Sequence, residues 1–498
     1  MNPENQKGRR IVMTAITKNT GNSGSGPPGI PKIPTGIRGL DEVLNGGVPK
    51  GAMTLLSGGP GTGKTMLGLE FLARGAMAGH PGILLTFEET EPALKNYAAG
   101  FGWDLPEFES KGLIAVVSAR IQPDAVLSGD FDLRGVIGIL RQKADTMKAE
   151  RVVVDAPDVF LRLLGDIAKE RAELHLLHEW LREAGMTALM TVKRRTDPSL
   201  ALHYDFLDYM ADCVIQLDQR VLEQVTTRRL RVIKYRGAAY GRNEYPFGFT
   251  DLGVWIIPVT QASLQHASLG ENLSTGVNQL DEILGGGYRR NSCTLLTGNS
   301  GTGKTTFACA FALSMVSLDE RVLYLDFEES WDALVSCMLS TSLDLRPARE
   351  SGKLKFISHM PESQGIEEHL IQALRAIEAF EPHHLIIDAI SACRRMGSEH
   401  AAFDFLIRII DHCKQRGITT LLTNLISAMD PGREITGIDL SSVIDTVIVL
   451  RNVEKKGCFV RDLGVLKSRG RAHSSRIHEF RITDNGFEIG GKEGDHVK

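Results

Sequence analysis

Short apolar runs alternate with stretches of helical periodicity along the chain. In the first half they fall at 82–87, 114–117, 151–155 and 187–192. That order predicts an α/β fold, a mostly parallel sheet covered by helices. Two more runs, 53–56 and 293–296, each lead through a glycine-rich loop into a helical pattern, 66–77 and 307–316. Closely spaced alternating runs at 214–217, 230–235 and 253–257 read as an antiparallel extension. The 166–183 stretch carries His175 and His178, and its periodicity predicts an amphipathic helix rather than a metal site.

The whole pattern occurs twice. Thr35-Gly36-Ile37-Arg38-Gly39-Leu40-Asp41-Glu42 returns as Thr275-Gly276-Val277-Asn278-Gln279-Leu280-Asp281-Glu282. Lys64 and Lys304, like Glu88 and Glu328, stand 240 positions apart, whereas Asp155 and Asp388, and Lys234 and Lys467, stand 233 apart. A surface connection of the second copy is therefore seven residues shorter, a change that loops tolerate. Two copies of one domain are expected at 34–262 and 263–490, with both patterns lapsing near 258–272. Residues 1–33, rich in Gly, Pro, Ser, Asn and Lys, read as a flexible tail, and 491–498 as a short one.

Composition agrees with two domains, since 498 residues exceed what one hydrophobic core usually supports. A net charge of −4 supplies no overall basic field to gather nucleic acid. Seven cysteines, six of them in the second half and none in a C-x-x-C pair, suit reduced thiols rather than a disulfide framework or zinc site. The polar N-terminus resembles no signal peptide, and no uncharged apolar stretch approaches the span of a bilayer. A cytoplasmic protein without a membrane segment is expected.

The candidate chemistry centres on Gly58-Gly59-Pro60-Gly61-Thr62-Gly63-Lys64-Thr65 and Gly298-Asn299-Ser300-Gly301-Thr302-Gly303-Lys304-Thr305. Both are phosphate loops: backbone N–H groups surround phosphate oxygens, the lysine reaches the terminal phosphates and the threonine ligates magnesium. Asp155 and Asp388 end apolar runs, where a sheet edge presents a carboxylate to magnesium. Glu88-Glu89 and Glu328-Glu329 each follow a buried run and are placed to align water or accept a hydroxyl proton. The alternative for these pairs is a helix start favoured by its dipole. Lys234-Tyr235-Arg236-Gly237 and Lys467-Ser468-Arg469-Gly470 put two cations on one face of a strand, as in fingers that stabilise a transferring phosphoryl group. A solvated strand face is the alternative there.

Together with Phe101-Gly102-Trp103-Asp104-Leu105, Glu244-Tyr245-Pro246-Phe247 and Ile444-Asp445-Thr446, these motifs resemble the KaiC family of tandem RecA-type, P-loop ATPase domains, over about residues 34–488. The resemblance implies a double-ring homohexamer with ATP and Mg²⁺ between neighbouring subunits, a hydrolysing first ring and an autophosphorylating second ring. It assigns nucleotide contacts to Gly61, Thr62, Gly63, Lys64, Thr65 and Met66, and to Gly301, Thr302, Gly303, Lys304, Thr305 and Thr306. Further contacts fall on Arg228, Lys234, Tyr235 and Arg236 and on Arg461, Lys467, Ser468 and Arg469. Catalytic acids would be Glu88, Glu89, Glu328 and Glu329, and metal ligands Thr65, Asp155, Thr305, Glu328 and Asp388. The phosphoacceptor pair falls on Ser441 and Ser442, with Thr436 as an auxiliary hydroxyl; a helix-capping role is the alternative reading of the serines. The matching positions of the first copy hold Asp208 and Tyr209.

The familiar acceptor pair is serine then threonine, so two serines are a departure. The residues after 490 lack the family's long C-terminal extension, so capture by KaiA is not expected. A KaiB-like protein and a downstream signalling kinase or response regulator are the implied partners. Two other classes compete: a RecA- or helicase-like motor on nucleic acid, and a scaffold with structural nucleotide. The basic stretch Lys193-Arg194-Arg195 lacks the interleaved aromatics a nucleic-acid channel would want.

Overall fold

The computed structural model describes residues 30–119, 133–193, 205–222, 225–258, 267–426, 440 and 442–490. Ser441, Thr436, Arg194, Arg195 and most of both tails lie outside the described residues.

Each copy is built on a nine-stranded sheet. In the first, β1 (Met53–Gly58), β2 (Gly82–Thr86), β3 (Ile114–Ser118), β4 (Arg151–Asp155) and β5 (Thr187–Lys193) are followed by β6 (Cys213–Leu222), β7 (Val225–Tyr235), β8 (Glu244–Thr250) and β9 (Gly253–Ile256). Their order is β3-β2-β4-β5-β1-β6-β7-β8-β9. The second copy has β10 (Cys293–Gly298), β11 (Val322–Asp326), β12 (Leu354–Ser358), β13 (His384–Asp388), β14 (Thr419–Leu425), β15 (Thr446–Lys455), β16 (Cys458–Ser468), β17 (Ile477–Thr483) and β18 (Gly486–Ile489). Its order, β12-β11-β13-β14-β10-β15-β16-β17-β18, repeats the first strand for strand. Strands β1 to β5 are apolar on both faces because helices cover both sides of a parallel sheet.

One expectation needs correction. The run at 214–217 is read from sequence as part of the antiparallel extension, yet β6 pairs parallel with β1, Thr54 opposite Cys213 through Gly58 opposite Leu217. The short helix Asp205–Met210 precedes β6, and the reversal of direction begins at the next strand, β7. Strand β8 is less legible because Pro246 interrupts it; it pairs through Pro246 opposite Arg229.

The antiparallel edge of the first copy seats on the second. Trp255 and Ile257 join the apolar cluster formed otherwise by second-copy residues, among them Leu370, Ile371 and Leu374 of α3 (Ile366–Phe380). A Cβ on Gly248 would stand 2.7 Å from Ile371 Cδ1, so a larger residue on β8 would make that side chain of the helix shift. Ion pairs line the same contact: Arg229 to Glu367 at 2.8 Å, Arg228 to Glu368 at 3.3 Å and Arg375 to Asp251 at 2.7 Å. Among the described residues no helix is long and apolar enough to cross a membrane. All seven cysteines are free thiols.

The second core contains a titratable group with a readable consequence. His384 is fully buried at the start of β13, its Nε2 bonded to the Glu320 carboxylate, with the Phe311 ring edge-on at 5.4 Å. Its Nδ1 has no hydrogen-bond partner among the described residues. A protonated ring would bury an unsatisfied N–H there, and burial pushes His384 down to about 4 despite the carboxylate. Because the folded state disfavours the proton, this contribution is complete above the unfolded pKa of about 6.5 and is lost as pH falls toward 4. We expect thermal stability to fall over that window by on the order of 3 kcal/mol from this group. Melting temperatures of wild type and His384→Gln, measured across that range, should converge toward the acid end.

Candidate active site

Both phosphate loops join the central strand of a sheet to a 14-residue helix, α1 (Lys64–Met77) after β1 and α2 (Lys304–Ser317) after β10. Gly61 and Gly63 take φ of +72° and +95°, Gly301 and Gly303 +74° and +93°. A Cβ on Gly63 would lie 2.3 Å from the Phe249 ring, and one on Gly303 2.4 Å from Ile482, so either substitution would also make a neighbouring side chain shift. Among the described residues no side chain caps either helix, which leaves the first-turn N–H groups to an anion. Thr62 Oγ1 donates to the Gly59 carbonyl at 2.9 Å and Thr302 Oγ1 to that of Asn299 at 2.8 Å, closing each loop.

The loop lysines are held in waiting. Lys64 Nζ donates to Gly58 and Gly59 carbonyls at 2.9 and 2.7 Å; Lys304 Nζ donates to those of Gly298 and Asn299 at 3.0 and 2.9 Å. Burial pushes both ammonium groups down, opposed by Asp155 in the first copy and Asp388 in the second. A phosphate replaces neutral carbonyls with charged acceptors, whose bonds are roughly twice as strong. These donors fit nucleotide phosphates. Met66 and Thr306 continue the first turns of α1 and α2, half-buried and buried.

Asp155 and Asp388 are buried at the ends of β4 and β13. Asp155 Oδ1 accepts from Thr191 Oγ1 at 2.6 Å, and its Oδ2 accepts from Thr65 Oγ1 at 3.0 Å, so the two expected first-copy ligands touch. Burial pushes Asp155 up, against these bonds. Asp388 is held differently. Thr423 Oγ1 donates to its Oδ1 and the Tyr324 hydroxyl to its Oδ2, the latter at 2.7 Å. Thr65 with Asp155, and Thr305 with Asp388, would hold Mg²⁺, which when bound neutralises charge on the phosphates.

The acidic pairs lie before their helices. Thr90 caps the helix Glu91–Ala99 and Ser330 caps Trp331–Leu339, so the first-turn acids are Glu91 and Asp332. Glu88 and Glu89 thus precede the cap at the sheet edge, and so do Glu328 and Glu329. Their backbones are anchored by the last residue of the strand: Glu89 N–H donates to Thr86 Oγ1 at 3.1 Å, and both Glu328 and Glu329 N–H donate to Asp326 Oδ1, at 2.8 and 2.6 Å. Burial pushes Asp326 up to about 7, against those two bonds.

A β-bulge stands immediately before each cationic pair. Val214 faces Lys234 but Ile215 faces Val232, and Val447 faces Lys467 but Ile448 faces Val465, leaving Ile233 and Leu466 unpaired. Bulges re-aim side chains, and this repeated one is not visible in a period-two pattern. Lys234 Nζ donates to the Asp208 carbonyl at 2.6 Å, Arg236 pairs with Asp212 at 3.4 Å, and Lys467 Nζ donates to the Ile444 carbonyl at 2.7 Å. Arg469 lies 3.8 Å from Asp445. Within one chain, both pairs therefore grip the segment before β6 or β15, not a phosphate loop. Arg461 does reach a loop, donating from Nε to the Gly301 carbonyl at 3.1 Å. Arg228 pairs with Glu368 and stacks on Phe249. Tyr235 points inward and donates to the Gly47 carbonyl at 2.9 Å, and Ser468 is half-buried opposite Thr446.

Ser442 is exposed in the turn before β15, whereas Asp208 and Tyr209 lie on the helix Asp205–Met210. Lys414, not singled out from sequence, ties this second-copy segment to α4 (Glu399–Arg416), reaching the Val443 carbonyl at 2.7 Å and Asp445 at 2.9 Å. Among the described residues no group of three or more His, Cys, Asp or Glu is arranged to hold a metal by itself. His175 instead pairs with Glu179 on its helix.

The family model described as "ATPase: KaiC" matches residues 33–261 and again 273–494. The circadian clock protein KaiC2 of Synechocystis sp. is 37% identical over 460 residues, covering 92% of this chain and 81% of that protein. The circadian clock protein KaiC3 of the same organism is 34% identical, covering 92% and 91%. The circadian clock oscillator protein KaiC of Synechococcus elongatus is 34% identical over 458 residues, covering 91% and 88%. With both sheets, both phosphate loops and both strand-end aspartates inside those matches, the chain belongs to the KaiC family of tandem RecA-like ATPases.

Proposed function

We propose that this protein is a self-phosphorylating, ATP-hydrolysing double-ring homohexamer of the clock type, in which the first copy spends ATP on water and the second on its own serines. The observation that carries the reading is a difference between the copies: the positions occupied by Asp208 and Tyr209 in the first hold Ser441 and Ser442 in the second, shortly before Ile444, whose carbonyl Lys467 grips. In the second copy, Glu328 accepts the hydroxyl proton as the serine O–P bond forms and the bond from the γ-phosphorus to ADP breaks. Lys304, Lys467 and Arg469 hold the γ-phosphoryl group, and Thr305, Glu328 and Asp388 the magnesium. Glu88 and Glu89 serve the first copy with Thr65 and Asp155. The cationic pairs, with Arg228 and Arg461, act across a subunit boundary. A KaiB-like protein and a downstream kinase or response regulator in the cytoplasm are the partners of this reading.

The test incubates wild type, Glu328→Gln and Ser441→Ala/Ser442→Ala with γ-labelled Mg-ATP. Label is expected in wild type alone, with all three proteins hexameric by light scattering. Equal labelling of the three overturns the autokinase, and a monomer at micromolar protein with Mg-ATP overturns the ring.

A further inference from the structure

The two sites differ most at the end of the second strand. Asp326 occupies the position of Thr86, and Tyr324 that of Leu84, since β11 and β2 pair in the same register with β13 and β4. Thr86 offers one hydroxyl to one backbone N–H. Asp326 offers a carboxylate oxygen to two, those of Glu328 and Glu329. It is buried and its Cα lies opposite that of Asp388. Adjacent carboxylates repel unless each has its own donors. Here each has them: Asp326 takes the two backbone N–H groups, while the buried Tyr324 hydroxyl and Thr423 turn Asp388 to a separate set.

In the first copy, one donor to the strand-end carboxylate is the phosphate-loop Thr65 itself, so the orientation of Asp155 is tied to the loop. In the second copy Tyr324 takes that oxygen. Asp388 therefore keeps its orientation without help from the loop, and Asp326 keeps the acidic pair in place without help from substrate.

We propose that Asp326 is a positioning residue of the second nucleotide site: it fixes the backbone of Glu328-Glu329 before nucleotide arrives, and Tyr324 makes room for it by holding Asp388 aside. The inference rests on the reading that the second site turns over ATP, but its structural half does not.

The experiment uses the full chain carrying Glu88→Gln/Glu89→Gln, so that first-site turnover is suppressed, and adds Asp326→Ala or Asp326→Thr. Amide hydrogen exchange without nucleotide is read at Glu328 and Glu329, and kcat and KM for second-site ATP turnover are read separately. Asp326→Ala is expected to speed exchange at those two amides by about tenfold or more and to lower kcat roughly 10- to 100-fold, with KM within about twofold. Asp326→Thr, the first copy's own solution, should restore the Glu329 amide and part of kcat but not the Glu328 amide. Unchanged exchange in Asp326→Ala, or a loss carried wholly by KM, overturns the inference. A parent without second-site turnover defeats the functional reading alone, and exchange then decides the positioning role by itself.

Discussion

Replacing Glu88 and Glu89 together by glutamine is expected to lower first-domain ATP hydrolysis by roughly 10²–10⁴-fold, the range for loss of a general base or water-positioning group. Both residues precede the Thr90 cap, so neither supports the following helix, and the substitution keeps size while removing charge. The Glu89 N–H bond to Thr86 Oγ1 is a backbone contact that survives the change. Folding and nucleotide binding should therefore be intact, and the loss should fall on kcat. The proposed function makes the first domain the place to read this, since Asp208 and Tyr209 stand where the second copy has its serine pair. Steady-state ATPase and nucleotide affinity, measured on the same preparation, check it. Unaltered hydrolysis would falsify the assignment of the acidic pair.

Lys304→Ala is expected to lower phosphoryl transfer at the second site by about 10²–10³-fold, comparable to loss of one preorganised donor to a developing charge. The ammonium is already aimed across the loop by the Gly298 and Asn299 carbonyls, so little reorganisation precedes phosphate contact. Removing it frees two carbonyls at a loop that is partly open to solvent, a modest cost to the fold. Label incorporation should fall, while hydrolysis at the first site, which depends on Lys64, persists. If labelling by Lys304→Ala matched wild type, this lysine would have no part in transfer.

Much of the site was legible because its parts are local. A phosphate loop is eight consecutive residues, and its glycines are demanded by backbone conformations that neighbouring residues set. The strand-end aspartates and glutamate pairs follow apolar runs directly, and the duplication supplied its own control through the spacing of Lys64 with Lys304 and Asp155 with Asp388. Run boundaries such as 151–155 fall where β4 lies, since a strand buried on both faces is an uninterrupted apolar stretch.

What crosses between elements was not legible. The direction of β6 depended on which strand it met, and an apolar run carries no mark of parallel or antiparallel pairing. The bulges before Lys234 and Lys467 insert one residue against a partner strand, a register known only once β6 and β15 are in place. Tyr324 reaches Asp388 across 64 positions of sequence, and Arg229 meets Glu367 on the other domain. By itself, then, the sequence determined two α/β domains, each with a phosphate loop, a strand-end aspartate and an acidic pair. The tertiary structure decided which donors hold each carboxylate and how one copy seats on the other, because hydrogen-bond partners follow from the register and packing of strands distant in the chain.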